Sequence, residues 1–460
     1  MAEGWISAKM TESPRERSGH VLMLPYLAKG HLIPFTALAQ TLSDRTSFIK
    51  ITLISTPVNV QILRSLLPPN TPICFAELPF RSTDHGLPPG VETTSSAPRH
   101  VVRDLLRASG SLRPDVEHLV GAISRRDGKP PLCVISDVAW GWTLEIAKKF
   151  GTQHYIFNVA AAMASRGWTG PLAASWMPPT LLEQFCLSRE TDGVLFNTVE
   201  ALEAEALDDL RRNVWRRVWA IGPLLLSSSH SSSSSPSQTL LQWLDRRPKK
   251  SVLYVCFGSE VLIPPQNITE LAKGLEASGK SFIWVIRAPI GFDIQDDEDF
   301  SSVEWLPEGF QERVTREKDQ GLLVKQWAPQ MEILSHESTG AFFSHCGWNS
   351  AVESLREGLP IIAWPLDFEQ PLNSRFLEEE LGVAVEVARG ADAEIRGSEV
   401  ERVIRLVMDG DSEKGAEMRR KAKKIREEIT LAGTSKGSSI RAIDDFIHTL
   451  ESNHQCCTSD

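Results

Sequence analysis

Residues 340–355 read GAFFSHCGWNSAVESL, and the order of structure in this stretch decides the fold. An apolar run, GAFFS, has the length and composition of a buried strand. A turn follows at His345–Gly347, and NSAVESL continues as a helix. The strand is expected to end near Ser344, which leaves His345, Gly347, Asn349 and Ser350 at the turn and in the first helical turn. Backbone N–H groups are unsatisfied there and the helix dipole is positive. Gly347 permits close approach of another backbone or a ligand. A phosphate or diphosphate suits such a place. Glu353 lies one helical turn beyond Asn349 and could take the hydroxyls of a ribose, as acidic residues do in dinucleotide folds. Trp327 opens a short loop upstream and could stack on a flat base. Taken singly, each residue also fits a simply capped helix with packing side chains.

Outward from this stretch, strands and helices alternate in both directions. Strands are expected at 20–26, 48–56, 73–80 and 132–137, with helices at 33–43 and near 101–123 and a Pro-, Gly- and Ser-containing loop at about 81–98. After a Ser-rich stretch at 224–238 the alternation restarts at 251–258 and runs on through strands at 281–287, 321–327, 340–345 and 359–365. The chain ends in helical patterns at 398–410, 413–429 and 438–451. Strand–helix alternation implies parallel sheets with helices on both faces. A chain of 460 residues exceeds one ordinary core. The reading is therefore a disordered tail at 1–18 and a Rossmann-like domain at 19–227. A Ser-rich linker at 228–238 leads to a second such domain at 239–460, whose last helix (about 436–451) could pack back on the first.

One stretch invites a different conclusion. Gly274–Ser281, GLEASGKS, matches the phosphate-loop pattern of nucleoside triphosphatases. Its context is reversed, with a helical pattern before Gly279 and a strand after Lys280. Gly279 is better read as the residue that ends a helix in a left-handed conformation. The acidic runs at 297–299 and 409–411 do not follow a buried strand and read as solvated loops. His336, His345 and Cys346 lack zinc-ligand spacing.

Composition narrows the class. The hydrophobic fraction of 42% and charged fraction of 23% are those of a globular protein. The net charge of −10 comes without a large basic block, which argues against nucleic acid as the main partner. No run approaches the roughly 18 to 20 apolar residues of a membrane span. The seven cysteines are scattered and fit a reducing cytosol rather than a disulfide framework. A cytoplasmic location is expected.

Residues 327–370 as a whole closely resemble the signature box of plant family-1 UDP-sugar glycosyltransferases: WAPQ, HCGWNS, ES and a terminal Gln fall in its order and spacing. LPYLAKGHLIP (24–34), GVLFNTVEALE (193–203), IGPLL (221–225) and SVLYVCFGS (251–259) extend the likeness along almost the whole chain. The resemblance implies the GT-B fold, two Rossmann-like doubly wound domains facing each other across a cleft, with the donor held mainly by the C-terminal one. It implies that Trp327 stacks on uracil with Ala328 and Gln330 beside the uridine, and that Glu353 holds the ribose. His345, Gly347, Asn349, Ser350 and Ser259 would meet the diphosphate, and Trp348, Glu369 and Gln370 would surround the sugar. Glu369 departs from the family's usual Asp and reaches one methylene further. Gln370 resembles glucose-preferring members.

The catalytic pair falls in the other domain. His31 follows the first strand, at the end where open α/β sheets bind ligands. Asp137 ends another strand. They match the family's general base and the carboxylate that orients it. His20, at the opposite end of the first strand, reads as structural. A Ser–His–Asp nucleophile is disfavoured because no G-x-S-x-G elbow occurs. The implied reaction is attack of an acceptor hydroxyl on UDP-glucose with inversion, giving a β-O-glucoside, with UDP-glucose as co-substrate, no cofactor and no metal ion. Partners are then UDP-glucose and a small hydrophobic aglycone, with neither nucleic acid nor a membrane span, for a monomeric enzyme. A flavonoid or other phenolic is the favoured acceptor. A terpenoid or steroid acceptor and C-glycosylation stay open. So does, outside catalysis, a UDP-sugar-binding protein that has lost transfer. Trp168, Trp176, Met163 and Met177, with the 81–98 loop, are candidates for the acceptor pocket.

Overall fold

The first strand, β1 (Gly19–Leu24), is buried along its whole length. Its side chains part between two cores: Val21 and Met23 on one face of the sheet, Leu22 and Leu24 on the other. That two-sided burial is the signature of a parallel sheet with helices on both faces. The computed structural model describes residues 19–97, 99–169, 178–226, 235–258, 263–289, 292, 300, 303–325 and 327–456.

Seven parallel strands make the first sheet. They are β1, β2 (Ile49–Ser55), β3 (Cys74–Glu77), β4 (Cys133–Ser136), β5 (Gln153–Asn158), β6 (Gly193–Phe196) and β7 (Val218–Ala220), in the order β3-β2-β1-β4-β5-β6-β7. The second sheet has six parallel strands: β8 (Val252–Cys256), β9 (Ser281–Ile286), β10 (Gly321–Lys325), β11 (Thr339–Ser344), β12 (Ile361–Ala363) and β13 (Ala384–Glu386). Their order is β10-β9-β8-β11-β12-β13. Here too alternate residues feed opposite cores, Leu253 and Val255 on one face of β8, Val252 and Tyr254 on the other.

The chain divides into two compact units. One comprises residues up to 230 together with residues from 431 onward, and the other residues 231–430. The second unit thus ends near 430 rather than running to 460. The terminal helix Ser438–Cys456 belongs to the first unit. It places Ile443, Phe446, Ile447 and Leu450 in the same core as Val21 and Tyr155. Trp219 Nε1 donates to Asp445 at 2.7 Å, and Ser439 Oγ to the carbonyl of Gly222 at 2.5 Å.

Local chemistry shifts several expected boundaries. The single helix expected near 101–123 is two, Arg99–Ser109 and Arg113–Asp127, separated by a tight turn at Gly110–Leu112. Pro114 has no N–H to continue the ladder across that point. A helix begins at Ser235, inside the expected linker, with Pro236 in its first turn where a missing N–H costs nothing. The tail at 1–18 and most of the Ser-rich stretch lie outside the described residues.

Candidate functional site

Each sheet has one point at which strand order reverses, and open α/β sheets bind ligands outside the C-terminal ends of the strands there. In the first sheet the reversal lies between β1 and β4. Leu24 and Ser136 end the two strands in register, and Asp137 N donates to the Leu24 carbonyl at 3.0 Å. The β1 loop leads into the helix Lys29–Arg45, which carries His31 in its first turn.

His31 and Asp137 meet there. His31 Nδ1 lies 2.6 Å from Asp137 Oδ2. The other carboxylate oxygen accepts the Ala139 N–H at 3.0 Å and caps the turn Val138–Trp140. Asp137 is 1% exposed and His31 28%. A buried carboxylate fixed at one oxygen and bound to the ring at the other selects the Nδ1–H tautomer, so the basic nitrogen of the neutral imidazole is Nε2. Tyr26 packs edge-on to His31, with ring centroids 5.3 Å apart, and also touches Trp140 at 5.8 Å. His20, at the far end of β1, is held by Asp127 and Thr52 inside the protein.

In the second sheet the reversal lies between β8 and β11. The turn after β11 is held tightly. Cys346 adopts a left-handed φ of 62°, uncommon for a residue with a side chain. Its N–H donates to Ser344 Oγ at 3.1 Å and its carbonyl accepts from Asn373 Nδ2 at 3.0 Å. Gly347 then caps the helix Trp348–Arg356, whose first turn carries Asn349 and Ser350. His345 is half-buried between Gly258 and Gly347, and its Nδ1 has no partner. Burial holds its pKa down at about 4, so the ring is neutral at pH 7. It can meet a phosphate by hydrogen bonding, while the positive potential comes from the helix end rather than from an imidazolium.

Beside this turn a chain of hydrogen bonds organises Glu353. Gln330 Nε2 lies 2.6 Å from Glu353 Oε2 and 3.2 Å from Ser350 Oγ, and Gln330 Oε1 accepts from Tyr254 OH at 3.3 Å. Burial raises Glu353 to about 7, opposed by the Gln330 hydrogen bond. Tyr254 was not singled out by sequence reasoning. Its place on a strand gave only a core signal, and its hydroxyl partner is 76 residues away. Trp327 is 65% exposed, an apolar platform facing water, while its neighbour Ala328 packs into the core.

Two residues expected around a sugar behave differently from that picture. Trp348 is 2% exposed, with its ring against Phe376, so burial leaves it its backbone rather than its indole face to offer a ligand. Gln370 is 6% exposed, and its Oε1 accepts the N–H groups of Leu366 and Asp367 at 2.9 and 3.1 Å. What remains of that amide for a ligand is its NH₂. Glu369 precedes Gln370 at the cap of the helix Gln370–Arg375. Ser259 lies outside the described residues, as do Trp176 and Met177. Trp168 packs edge-on to Phe185 in a core that Met163 also borders. Among the described residues no group of three or more His, Cys, Asp or Glu is placed to hold a metal ion, and no helix is long and apolar enough to cross a membrane.

Two parallel, doubly wound units, each with its constellation at a reversal point, are the architecture of GT-B transferases. Comparison with known proteins agrees. The family model for UDP-glucoronosyl and UDP-glucosyl transferases matches residues 225–423. UDP-glycosyltransferase 92A1 of Arabidopsis thaliana is 37% identical over 94% of this chain and 97% of its own. Crocetin glucosyltransferase 3 of Crocus sativus is 38% identical over 86% and 92%. Among solved structures, Phytolacca americana UGT2 complexed with UDP-2fluoro-glucose and pterostilbene covers 95% of this chain and all of its own. It does so at 27% identity with a TM-score of 0.78. The chain belongs to the plant UDP-glycosyltransferases.

Proposed function

We propose that this enzyme moves glucose from UDP-glucose to a hydroxyl of a small hydrophobic phenolic, with inversion, giving a β-O-glucoside. The observation that carries the reading is the His31–Asp137 pair at 2.6 Å, with Asp137 buried and anchored. His31 Nε2 takes the proton of the acceptor hydroxyl as the oxygen attacks the anomeric carbon, and Asp137 stabilises the imidazolium that forms. Attack from the face opposite the leaving UDP inverts that carbon. The departing diphosphate gains charge, which the N-terminus of the helix Trp348–Arg356 meets with its dipole and its N–H groups. His345 adds a hydrogen bond, and a metal ion is not required for this role. Trp327 stacks on uracil, Glu353 takes the ribose hydroxyls, and Gln370 donates its NH₂ to a sugar hydroxyl. A phenolic acceptor is supported by the relative from Phytolacca americana, solved in complex with pterostilbene.

The test is UDP release with a phenolic acceptor panel, using His31→Ala and Asp137→Asn. Loss of a positioned base lowers turnover about 10²- to 10⁴-fold. Asp137→Asn is also impaired, and the two losses do not add, because the pair acts as a unit. UDP-glucose affinity, measured by calorimetry, is retained in both variants. Normal turnover of His31→Ala on a weakly acidic hydroxyl would overturn the mechanism.

A further inference from the structure

Beyond the His31–Asp137 pair, the first unit holds a small cavity at the C-terminal ends of β1, β2 and β3. Leu24, Ile54, Leu78 and Leu112 are among its apolar walls, and Ser55, Trp140 and Trp142 also line it. Its volume is about 10 Å³, close to the least that holds one water-sized group. A hydroxyl or carbonyl oxygen fits such a space, and a ring does not.

Two polar atoms on its lining residues share an anomaly. Ser55 is 2% exposed and Trp140 3% exposed, yet neither Ser55 Oγ nor Trp140 Nε1 has a hydrogen-bond partner. Buried polar atoms in folded proteins are almost always paired, so an orphan calls for a reason. Two at a single apolar cavity call for a common one. Their chemistries are complementary to one group. The indole N–H only donates, and the serine hydroxyl both donates and accepts. An oxygen that accepts from Trp140 and exchanges a hydrogen bond with Ser55 satisfies both.

Position says whose oxygen it is. Trp140 ends the turn that Asp137 caps, its ring touches Tyr26, and Tyr26 touches His31. The cavity therefore lies two ring contacts from the base, within the span of a multi-ring acceptor.

We propose that this cavity reads a second oxygen on the acceptor, a hydroxyl or carbonyl remote from the one that is glycosylated. Ser55 and Trp140 are then specificity-determining residues, and the acceptor class is a polyoxygenated aromatic rather than a simple phenol. The proposal rests on the reading of His31 as the acceptor's base.

Matched acceptors test it: 4-hydroxystilbene with 4,4′-dihydroxystilbene, and flavonols differing by one distal hydroxyl. A buried neutral hydrogen bond corresponds to roughly a 3- to 10-fold preference in kcat/KM for the more oxygenated member, carried by KM. Trp140→Phe keeps an aromatic ring beside Tyr26 while removing the N–H donor with part of the indole, and Ser55→Ala removes the hydroxyl with little change of volume. Each narrows the preference toward unity, because its loss falls mainly on the more oxygenated acceptor. Wild-type enzyme that treats the members of every pair alike overturns the proposal, as does a Trp140→Phe loss of equal size on both members. The first of these is the outcome if a resident water satisfies the two atoms. Absence of turnover with all acceptors instead indicts the reading of His31. Calorimetric affinities for the same pairs then decide the cavity, with equal affinities overturning it.

Discussion

Glu353 stands where a carboxylate is costly to ionise. Burial raises it to about 7 from an ordinary 4.5, and the Gln330 hydrogen bond only partly offsets this. In the proposed ribose-binding role the ionised form would accept hydrogen bonds from both hydroxyls, whereas the acid would spend one oxygen as a donor. UDP-glucose affinity should therefore rise as pH passes upward through about 7. UDP-glucose is the right probe because its diphosphate, esterified at both ends, does not titrate in that range. In Glu353→Gln the affinity should be lower and its pH profile flat, measured by calorimetry between pH 6 and 8.5. The linked stability effect has a definite sign. A raised acidic pKa leaves the fold unpenalised below the unfolded value and penalises it increasingly as pH rises toward the folded value. Glu353→Gln should thus raise Tm at pH 8 more than at pH 5.5. An unchanged pH profile in the variant would remove Glu353 from the ribose site. The residue's identity and helical register were legible in the sequence. Its titration was not, because that depends on burial and on the Gln330 hydrogen bond, which exist only in the folded unit. His31 and Asp137 were legible for a different reason: one follows a strand and the other ends one, positions that periodicity locates, and both match the family's catalytic pair.

At the scale of elements, the turn after β8 and the turn after β11 form one device. Gly258 follows β8 with φ 74°, a conformation that side chains resist. A Cβ built there would lie 2.7 Å from His345 Nε2, and one on Gly347 would lie 2.6 Å from the same atom. Two glycines thus make room for one imidazole, which carries an unpartnered nitrogen at the mouth of a helix. Gly258→Ala should push His345 aside and weaken UDP-glucose binding, where a hydrogen bond to a charged group contributes about 1.5–3 kcal/mol. Phenolic acceptor affinity should be retained, since His31 lies in the other unit; calorimetry with each ligand separates the two effects. Equal UDP-glucose affinity in Gly258→Ala would deny His345 its role. The phosphate-loop pattern at 274–281 shows why element order outranks motif. The helix Pro265–Ser278 ends at Gly279 with φ 67°, and Lys280 pairs with Asp409 at 2.5 Å instead of facing a ligand. Sequence periodicity located nearly every long strand. It passed over β13, whose three residues are too few to show a period, and also the six-residue β5, and it missed the break before Pro114.

At the scale of the molecule, the chain leaves its first unit near 230 and returns to it near 431. The sequence reading left the last helix in the second domain with the option of packing back on the first, since Ile443, Phe446, Ile447 and Leu450 would suit either sheet. The structure resolves this through aromatic contacts. Phe446 meets Tyr155 and Trp219 edge-on, with centroids 5.1 and 5.3 Å away. The first unit therefore closes only when the final residues have folded onto it, whereas the second is built from a continuous segment. Phe446→Ala removes a buried ring at a cost of about 3–5 kcal/mol. In a unit of this size that corresponds to a fall in Tm of roughly 10 °C. Multi-domain chains need not unfold in one step, and a ligand raises only the transition of the unit that binds it. Calorimetric scans should then show the transition that is insensitive to UDP moving down in Phe446→Ala, with the UDP-stabilised transition in place and UDP affinity intact. Turnover should fail on heating with the first of these transitions, because the His31–Asp137 pair stands in that unit. A single transition that UDP and Phe446→Ala shift together would instead mean that the two units fold as one.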